Sequence, residues 1–217
     1  MAEDKKEIVD NTEEEVTLHH VDQILGIVLV GGTDSSSMPF APSNNVDVFI
    51  SQVIRNSTAD QSGRLRMGDR IIKINGEGLS NRSCSLAKAA LAAQGGNNNI
   101  VKLTVYHHCQ LTGIVAVELL RHPGEERLGF TIKGGVGSPH PGNPDNSDDV
   151  GIFVCNIREQ SAASRCPELR IGQRLVEVND LTVIGASHYD TLTLLRETRN
   201  PVRLLLCDGY AKIKVIN

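Results

Sequence analysis

The sequence contains no tryptophan and few aromatic residues of any kind. Four Phe and three Tyr are spread over 217 residues, which leaves little surface on which nucleic-acid bases could stack. The whole chain has a formal net charge of −4. Because residues 1–15 hold seven acids and only two lysines, the rest of the chain is nearly neutral. Without a basic stripe or a stacking surface, we expect no nucleic-acid binding.

Long apolar runs and a cysteine framework are also missing. No apolar stretch approaches the roughly 20 residues that cross a bilayer, and the opening Met-Ala-Glu-Asp-Lys-Lys-Glu lacks the apolar region of a secretory signal. The five cysteines are odd in number and include no Cys-x-x-Cys pair, so reduced thiols are expected rather than disulfides or a metal clip. We predict a cytoplasmic protein without metal or cofactor.

The chain contains an internal repeat. Leu25-Gly26-Ile27-Val28-Leu29-Val30-Gly31-Gly32 recurs as Leu128-Gly129-Phe130-Thr131-Ile132-Lys133-Gly134-Gly135, and Leu65-Arg66-Met67-Gly68-Asp69-Arg70 recurs as Leu169-Arg170-Ile171-Gly172-Gln173-Arg174. Colinear matches of this kind indicate two copies of one fold of about 95 residues. This count agrees with the domain sizes expected for a chain of this length.

Each copy is predicted to be mainly β with two helices, forming a small capped barrel. The first strand is expected at about 16–21 or 114–120, the last helix at 84–94 or 188–198 after a Ser cap, and the last strand at 100–106 or 202–207. The predicted domains are 15–108 and 114–211, joined by a short linker at 109–113. Residues 1–14 are predicted to be a disordered acidic tail and residues 212–217 a second tail.

The Leu-Gly-Phe segment at 128–130 indicates a binding site for a chain terminus. A glycine between two strands lets consecutive backbone N–H groups point to one spot, where they can hold an anion. An extended peptide could add to the neighbouring strand edge with its carboxylate at that spot. His188 could then bind a Ser or Thr hydroxyl, and an apolar last side chain could lie among Leu128, Phe130, Leu192 and Leu195. Plain core packing of this helix face, with an ordinary surface histidine, is the alternative.

Both copies resemble PDZ domains, whose X-Φ-Gly-Φ carboxylate loop is matched by Ile24-Leu25-Gly26-Ile27 and Arg127-Leu128-Gly129-Phe130. Segments of the second copy are similar to the fourth PDZ domain of Scribble-type polarity scaffolds: Gly134-Gly135, Gly151-Ile152-Phe153-Val154 and Cys207-Asp208-Gly209-Tyr210. The first copy, with Gly31-Gly32-Thr33-Asp34-Ser35-Ser36 and Pro39-Phe40, is similar to the third, though less closely. The resemblance implies a monomeric, non-enzymatic scaffold that binds C-terminal peptides of membrane and polarity-signalling proteins. It would lie at cell junctions, peripheral to the plasma membrane through its partners.

The resemblance also implies which residues contact peptide. In the second copy they are Arg127, Leu128, Gly129, Phe130, Thr131, Ile132, His188, Leu192 and Leu195. In the first copy they are Leu25, Gly26, Ile27, Val28, Leu29, Cys84, Lys88 and Leu91.

The first copy departs from the pattern, because Cys84 and Lys88 stand where the second has His188 and Leu192. A thiol is a poor partner for a peptide hydroxyl, and a Lys ammonium must stay hydrated or find an anion. We expect the first copy to bind Ser/Thr-x-Val termini weakly and to prefer another class of ligand residue, for which an acidic side chain is one option. The alternative is that copy one only steadies copy two.

An enzyme and a binding module of another kind are the alternatives to a peptide-binding scaffold. The segment Gly185-Ala186-Ser187-His188-Tyr189 lacks the second glycine of a nucleophile elbow. The adjacent pairs His19-His20 and His107-His108 would point to opposite faces of a strand and so suit a shared metal ion poorly. No enzyme is therefore expected. The tandem could instead act through a domain face, an internal motif of a partner or membrane lipid. The basic cluster that lipid binding favours is absent from the sequence.

Overall fold

The protein is described by a computed structural model for residues 12–19, 24–42, 44–92, 99–107 and 111–210. The chain divides into two compact units, here called unit 1 (Met1–Gln110) and unit 2 (Leu111–Asn217). Among the described residues, no helix is both long and apolar enough to cross a membrane.

Unit 1 is built on an antiparallel sheet in the order β1-β6-β4-β3-β2, with β5 paired to β4. Val101, Leu103 and Val105 are fully buried and alternate with more exposed residues, as expected for a sheet with one face on the core. The elements are β1 (Glu13–His19), β2 (Ile27–Gly31), β3 (Val48–Val53), α1 (Thr58–Ser62), β4 (Arg70–Ile74), β5 (Glu77–Gly78), α2 (Cys84–Ala92) and β6 (Ile100–Tyr106).

Unit 2 repeats this topology, with the order β7-β12-β10-β9-β8 and β11 paired to β10. Its core is again formed by the inward face of the sheet, for example Val202, Leu204 and Leu206. The elements are β7 (Val115–Leu119), β8 (Phe130–Gly134), β9 (Ile152–Ile157), a 3-10 turn (Ala163–Arg165), β10 (Arg174–Val178), β11 (Leu181–Thr182), α3 (His188–Glu197) and β12 (Val202–Cys207). The predicted fold class, two mainly β domains in tandem, is confirmed.

The shorter helix differs between the two units. In unit 1, Ser57 caps α1 by accepting a hydrogen bond from the Asp60 N–H, and Gly63 ends the helix in the left-handed conformation, at φ +60°. In unit 2 the predicted second helix is only a 3-10 turn. Pro167 explains the difference, because a proline disfavours helical geometry at the residue before it, Cys166.

The first strand begins earlier than the sequence predicts. β1 starts at Glu13, not near residue 16, so Glu13 and Glu14 of the predicted disordered tail belong to the sheet. They are ordered because β1 pairs with β6 as far as Tyr106, and because Glu14 accepts a hydrogen bond from Arg64. The rest of that tail, residues 1–11, lies outside the described residues, as do 20–21 of the predicted strand, 93–94 of the predicted helix, 108–110 around the predicted linker, and 212–217.

Candidate peptide-binding grooves

The two strands that follow the Leu-Gly turns are edge strands. β2 and β8 each end the strand order of their sheet, and in the described part of the chain each pairs with one neighbour only, β3 or β9. A helix lies beside each edge strand, α2 next to β2 and α3 next to β8. Each unit therefore presents a groove with unpaired backbone groups on one wall, into which an added strand would fit.

In unit 2 the carbonyl groups of the Leu-Gly turn point into the domain. The Leu128 oxygen accepts from the Ala163 N–H at 2.8 Å, and the Gly129 oxygen accepts from the Arg158 N–H at 2.7 Å. In a trans peptide the C=O and the following N–H point in opposite directions. The N–H groups of Gly129 and Phe130 therefore point away from the domain, which makes a site for a carboxylate.

Unit 1 builds the same turn. The carbonyl oxygens of Ile24, Leu25 and Gly26 accept from the N–H groups of Thr58, Ala59 and Ile54 at 3.2, 3.0 and 2.9 Å. By the same geometry, the N–H groups of the three following residues, Leu25 to Ile27, face outward. Both units thus provide the backbone arrangement that the sequence predicts for an anion.

The central glycine of each turn is required on two grounds. Gly129 has φ +87°, and a Cβ there would lie 2.0 Å from the Ser161 Cβ. Gly26 has φ +79°, and a Cβ there would lie 2.0 Å from the Ser57 Cβ. The contacts of the two serines were not predicted from the sequence, although Ser57 and Ser161 occupy matching places in the repeat and follow the two turns at nearly the same spacing.

His188 is oriented by a backbone contact at the start of α3. Its Nδ1 lies 2.9 Å from the carbonyl oxygen of Gly134, the last residue of β8. The predicted cap is confirmed, since Ser187 accepts from the Asp190 N–H. The close approach of the loop after β8 to the start of α3 depends on Gly135, where a Cβ would lie 2.5 Å from the backbone nitrogen of His188. The glycine pair that marks the repeat therefore lets the loop after β8 pack against the helix start.

The predicted apolar pocket in unit 2 consists of two kinds of residue. Leu128 and Leu195 are buried members of the core. Phe130 and Leu192 are only partly buried and pack against the same core, so they can form the walls of a pocket whose floor is the first pair. Of the remaining predicted residues, Ile132 is also buried, whereas Arg127 and Thr131 are exposed. Ile132 could therefore meet a peptide only through its backbone.

In unit 1 the corresponding residues are arranged differently. Cys84 is only 2% exposed and belongs to the core, whereas Lys88, one turn later on α2, is exposed. Burial raises the pKa of the Cys84 thiol, although the nearby Lys88 ammonium and hydrogen bonds from Lys88 and Ser35 oppose the rise. The thiol lies in the core, so contact of Cys84 with a peptide stays a prediction that would involve little of its side chain.

The other predicted residues of unit 1 follow the pattern of unit 2. Leu25 and Ile27 are partly buried against the core, as is Leu91 on α2, and Val28 is half-buried. Leu29 is buried, so only its backbone could face a ligand. Of the residues predicted for the unit 1 groove, Lys88 is the one with a charged side chain.

Two polar residues of unit 1 near the start of α2 were not predicted. The Asp34 carboxylate accepts from the N–H groups of Cys84 and Ser85 and from the Ser85 hydroxyl, which lowers the pKa of Asp34. The Ser35 hydroxyl donates to the Gly31 carbonyl oxygen at 2.7 Å. In unit 2 the imidazole of His188 satisfies the equivalent carbonyl, that of Gly134. Ser35 therefore provides the hydrogen bond that Cys84 cannot.

Comparisons with known proteins agree with this geometry. The family model described as "PDZ domain" matches residues 15–106 and 117–207. The chain belongs to the PDZ domain family. PDZ domains are peptide-binding modules that add an extended ligand to a sheet edge, so units 1 and 2 are called the first and second PDZ domains below.

Disks large proteins are among the relatives that match this chain. The chain is 35% identical to Disks large homolog 2 of Danio rerio over 193 residues, which is 88% of this chain and 20% of the relative. The Rattus norvegicus protein of the same name is 35% identical over 192 residues, 88% of this chain and 21% of the relative. The chain therefore spans about a fifth of the length of these relatives. These matches do not support the narrower resemblance to Scribble-type domains.

One solved structure matches part of the chain. The crystal structure of Dlg1 PDZ2 from the choanoflagellate Monosiga brevicollis is 34% identical in sequence, with a TM-score of 0.39. The match covers 43% of this chain and 97% of that one.

Within the described residues no group of three or more His, Cys, Asp or Glu side chains is placed to hold a metal ion.

Proposed function

We propose that this tandem is a non-enzymatic adaptor that captures C-terminal peptides of partner proteins by β-strand addition. The observation that carries the proposal is the turned-out pair of amides at Gly129 and Phe130, at the head of the unpaired edge of β8. A terminal carboxylate accepts hydrogen bonds from both amides, and the peptide backbone continues along the edge toward His188. The equivalent amides beside β2 give the first domain the same capacity.

The second domain is assigned to tails with Ser or Thr as the third residue from the end and an apolar last residue. The His188 ring is fixed next to the edge strand and can accept from the hydroxyl. The half-buried faces of Phe130 and Leu192 can cover the last side chain. Affinities in the micromolar range, about −8 kcal/mol, are expected for a ligand of this size.

The cellular role belongs to the same proposal. We place the chain on the cytoplasmic side of the cell cortex, where it would gather the tails of membrane and polarity-signalling proteins at junctions. The Scribble-type motifs of the sequence support a polarity role, and the Disks large relatives support only the PDZ assignment. Tandem linkage would raise avidity for paired tails.

A titration with matched peptides tests this function. The intact chain is titrated with a fluorescent peptide ending Thr-x-Val, as the free acid and as the C-terminal amide. Amidation removes the charge that the turned-out amides bind, so we expect at least a tenfold loss of affinity. Equal binding of the two forms would rule out carboxylate capture. Sedimentation with anionic vesicles in the absence of peptide would then test the alternative lipid-binding function.

A further inference from the structure

The two grooves differ at the position that faces the third residue from the end of a ligand. We propose that the groove of the first PDZ domain selects tails with an anionic side chain, a carboxylate or a phosphate, at that position. The inference rests on the proposed function, since it names the ligand class of a groove that captures carboxyl termini. Lys88 is the residue that would make the selection.

Lys88 lies on the groove face of α2. It follows Cys84 by four residues, and residues four apart share a helix face. The matching residues of the second domain are His188, whose ring reaches the end of β8, and Leu192, a wall of the pocket. Burial raises the pKa of the Cys84 thiol, and the charge of the nearby Lys88 opposes the rise. Lys88 therefore lies near Cys84, on the helix face that carries His188 and Leu192 in the second domain.

This ammonium is available to a ligand. Lys88 is exposed, and in the part of the chain that the structure describes it forms no ion pair with a carboxylate. At the place of His188, Cys84 is a poor acceptor for a ligand hydroxyl, because its thiol is buried and is a weak hydrogen-bond partner. An anionic side chain at this position gains a charge-assisted hydrogen bond, whereas a hydroxyl gains little.

Asp34 is an acidic group at the start of α2, and its hydrogen bonds hold its negative charge at that end of the helix. Its carboxylate accepts hydrogen bonds from the Cys84 and Ser85 N–H groups and from the Ser85 hydroxyl. The carboxylate therefore points to the start of α2. An incoming anion is repelled from that end of the helix and attracted to Lys88, one turn further along. The charges of the groove thus favour an anion at one position.

The two domains then respond in opposite ways to phosphorylation of a ligand. A Ser or Thr hydroxyl donates its hydrogen to the His188 ring in the second domain. A phosphate ester at the same atom lacks that hydrogen and brings about two negative charges. The same tail would move from the second domain to the first when its third-last residue is phosphorylated, and a Glu or Asp there would direct a tail to the first domain permanently.

Domain-resolved NMR of the intact chain tests the proposal. The amide signals of Gly26 and Gly129 report the two carboxylate turns separately. Four peptides that share a last Val differ only at the third-last residue, which is Glu, Gln, Ser or phosphoserine. At Gly26 we expect the Glu and phosphoserine peptides to bind about fivefold more tightly than Gln and Ser. At Gly129 we expect Ser to bind more tightly than phosphoserine.

Three variants assign the effect. Lys88→Gln should abolish the anionic preference at Gly26, and Lys88→Arg should retain it. Lys102→Gln removes the same charge from an exposed position on β6, away from the groove, and should change nothing. A preference for Glu that matches phosphoserine indicates charge recognition in general, whereas a response to phosphoserine alone restricts the ligand to phosphate.

The failures of the two proposals are distinguishable. Equal binding of all four peptides at Gly26, an anionic preference that survives in Lys88→Gln, or no response of Gly26 to any peptide would overturn the anionic assignment. Amidated peptides that shift Gly26 and Gly129 as strongly as the free acids would instead overturn carboxylate capture. Lys88 is exposed, so its substitution should leave the fold intact, and the dispersed amide spectrum of each variant checks this.

Discussion

The Nδ1 atom of His188 lies 2.9 Å from the carbonyl oxygen of Gly134. A carbonyl oxygen only accepts, so Nδ1 is the donor, and in the neutral ring Nε2 is left as an acceptor. The edge strand thus chooses the histidine tautomer that a ligand hydroxyl requires.

Removing the imidazole should weaken only those ligands that carry a hydroxyl. We expect His188→Ala to reduce the affinity of the second domain for a Thr-x-Val tail about fivefold, or about 1 kcal/mol, the value of one hydrogen bond. The same variant should bind an Ala-x-Val tail as the parent does. Isothermal titration of both peptides completes a double-mutant cycle, and an equal loss for both would mean that His188 acts by packing alone.

Gly129 and Gly124 form a matched pair for the carboxylate turn. Their φ angles are +87° and +88°, but a Cβ at Gly124 meets nothing within 4 Å, whereas one at Gly129 meets Ser161 at 2.0 Å. Gly124→Ala should cost the second domain about 1 kcal/mol from the left-handed backbone. Gly129→Ala should cost about 1–3 kcal/mol more from the clash and should abolish peptide binding. Urea unfolding and peptide titration of both variants measure the difference.

Two equivalent ion pairs should differ in their contribution to stability because they differ in burial. The Arg174 and Asp149 side chains are 6% and 1% exposed, whereas Arg70 and Asp47 are 38% and 32% exposed. Each arginine also lies over an aromatic ring, Phe153 or Tyr106. Arg174→Ala leaves a buried carboxylate without its cation and should destabilise the second domain by about 3–5 kcal/mol.

Arg70→Ala should cost the first domain only about 0–1 kcal/mol, since an exposed pair gains little from its charges. Native-state hydrogen exchange, read from the amides of β10 and β4, reports the two domains separately. Similar losses in both would show that burial is not what distinguishes the pairs.

The first domain should have a pH dependence that originates at Asp69. Burial raises the pKa of this carboxyl above its ordinary 3.8, although the Arg66 N–H and His107 oppose the rise. His107 itself lies between Asp69 and Glu14, at 3.0 and 3.1 Å. The folded state binds the Asp69 proton more tightly than the unfolded chain does, so the stabilising contribution of this group is complete below pH 3.8 and is lost as the pH rises through the raised value.

Asp69→Asn removes this titration and should flatten the loss of stability between pH 3.8 and the raised pKa. Urea unfolding at several pH values, followed through amide signals of each domain, measures the slope. The second domain serves as the internal control, because Gln173 occupies the matching position and accepts the equivalent turn hydrogen bond, from the Arg170 N–H. An unchanged slope in the first domain would place the titration elsewhere.

The sequence by itself determined the tandem architecture and much of the second groove. The repeat around Leu25 and Leu128 identified two copies, because identical spacing of glycines and apolar residues imposes the same turns and buried faces. The role of Gly129 also followed from sequence, since only glycine readily adopts a positive φ between two strands. Ser187 was recognisable as a cap because capping depends on residues close in the chain.

Only the tertiary structure decided what lies opposite these residues. The start of β1 at Glu13 depends on pairing with β6 and on the hydrogen bond from Arg64 to Glu14, two residues that are 50 positions apart. The burial of Cys84 and the exposure of Lys88 depend on how α2 packs on the sheet, and the orientation of His188 depends on a carbonyl 54 residues earlier. Local patterns fix turns and faces, but the partner of a side chain is set by the chain distant in sequence that folds against it.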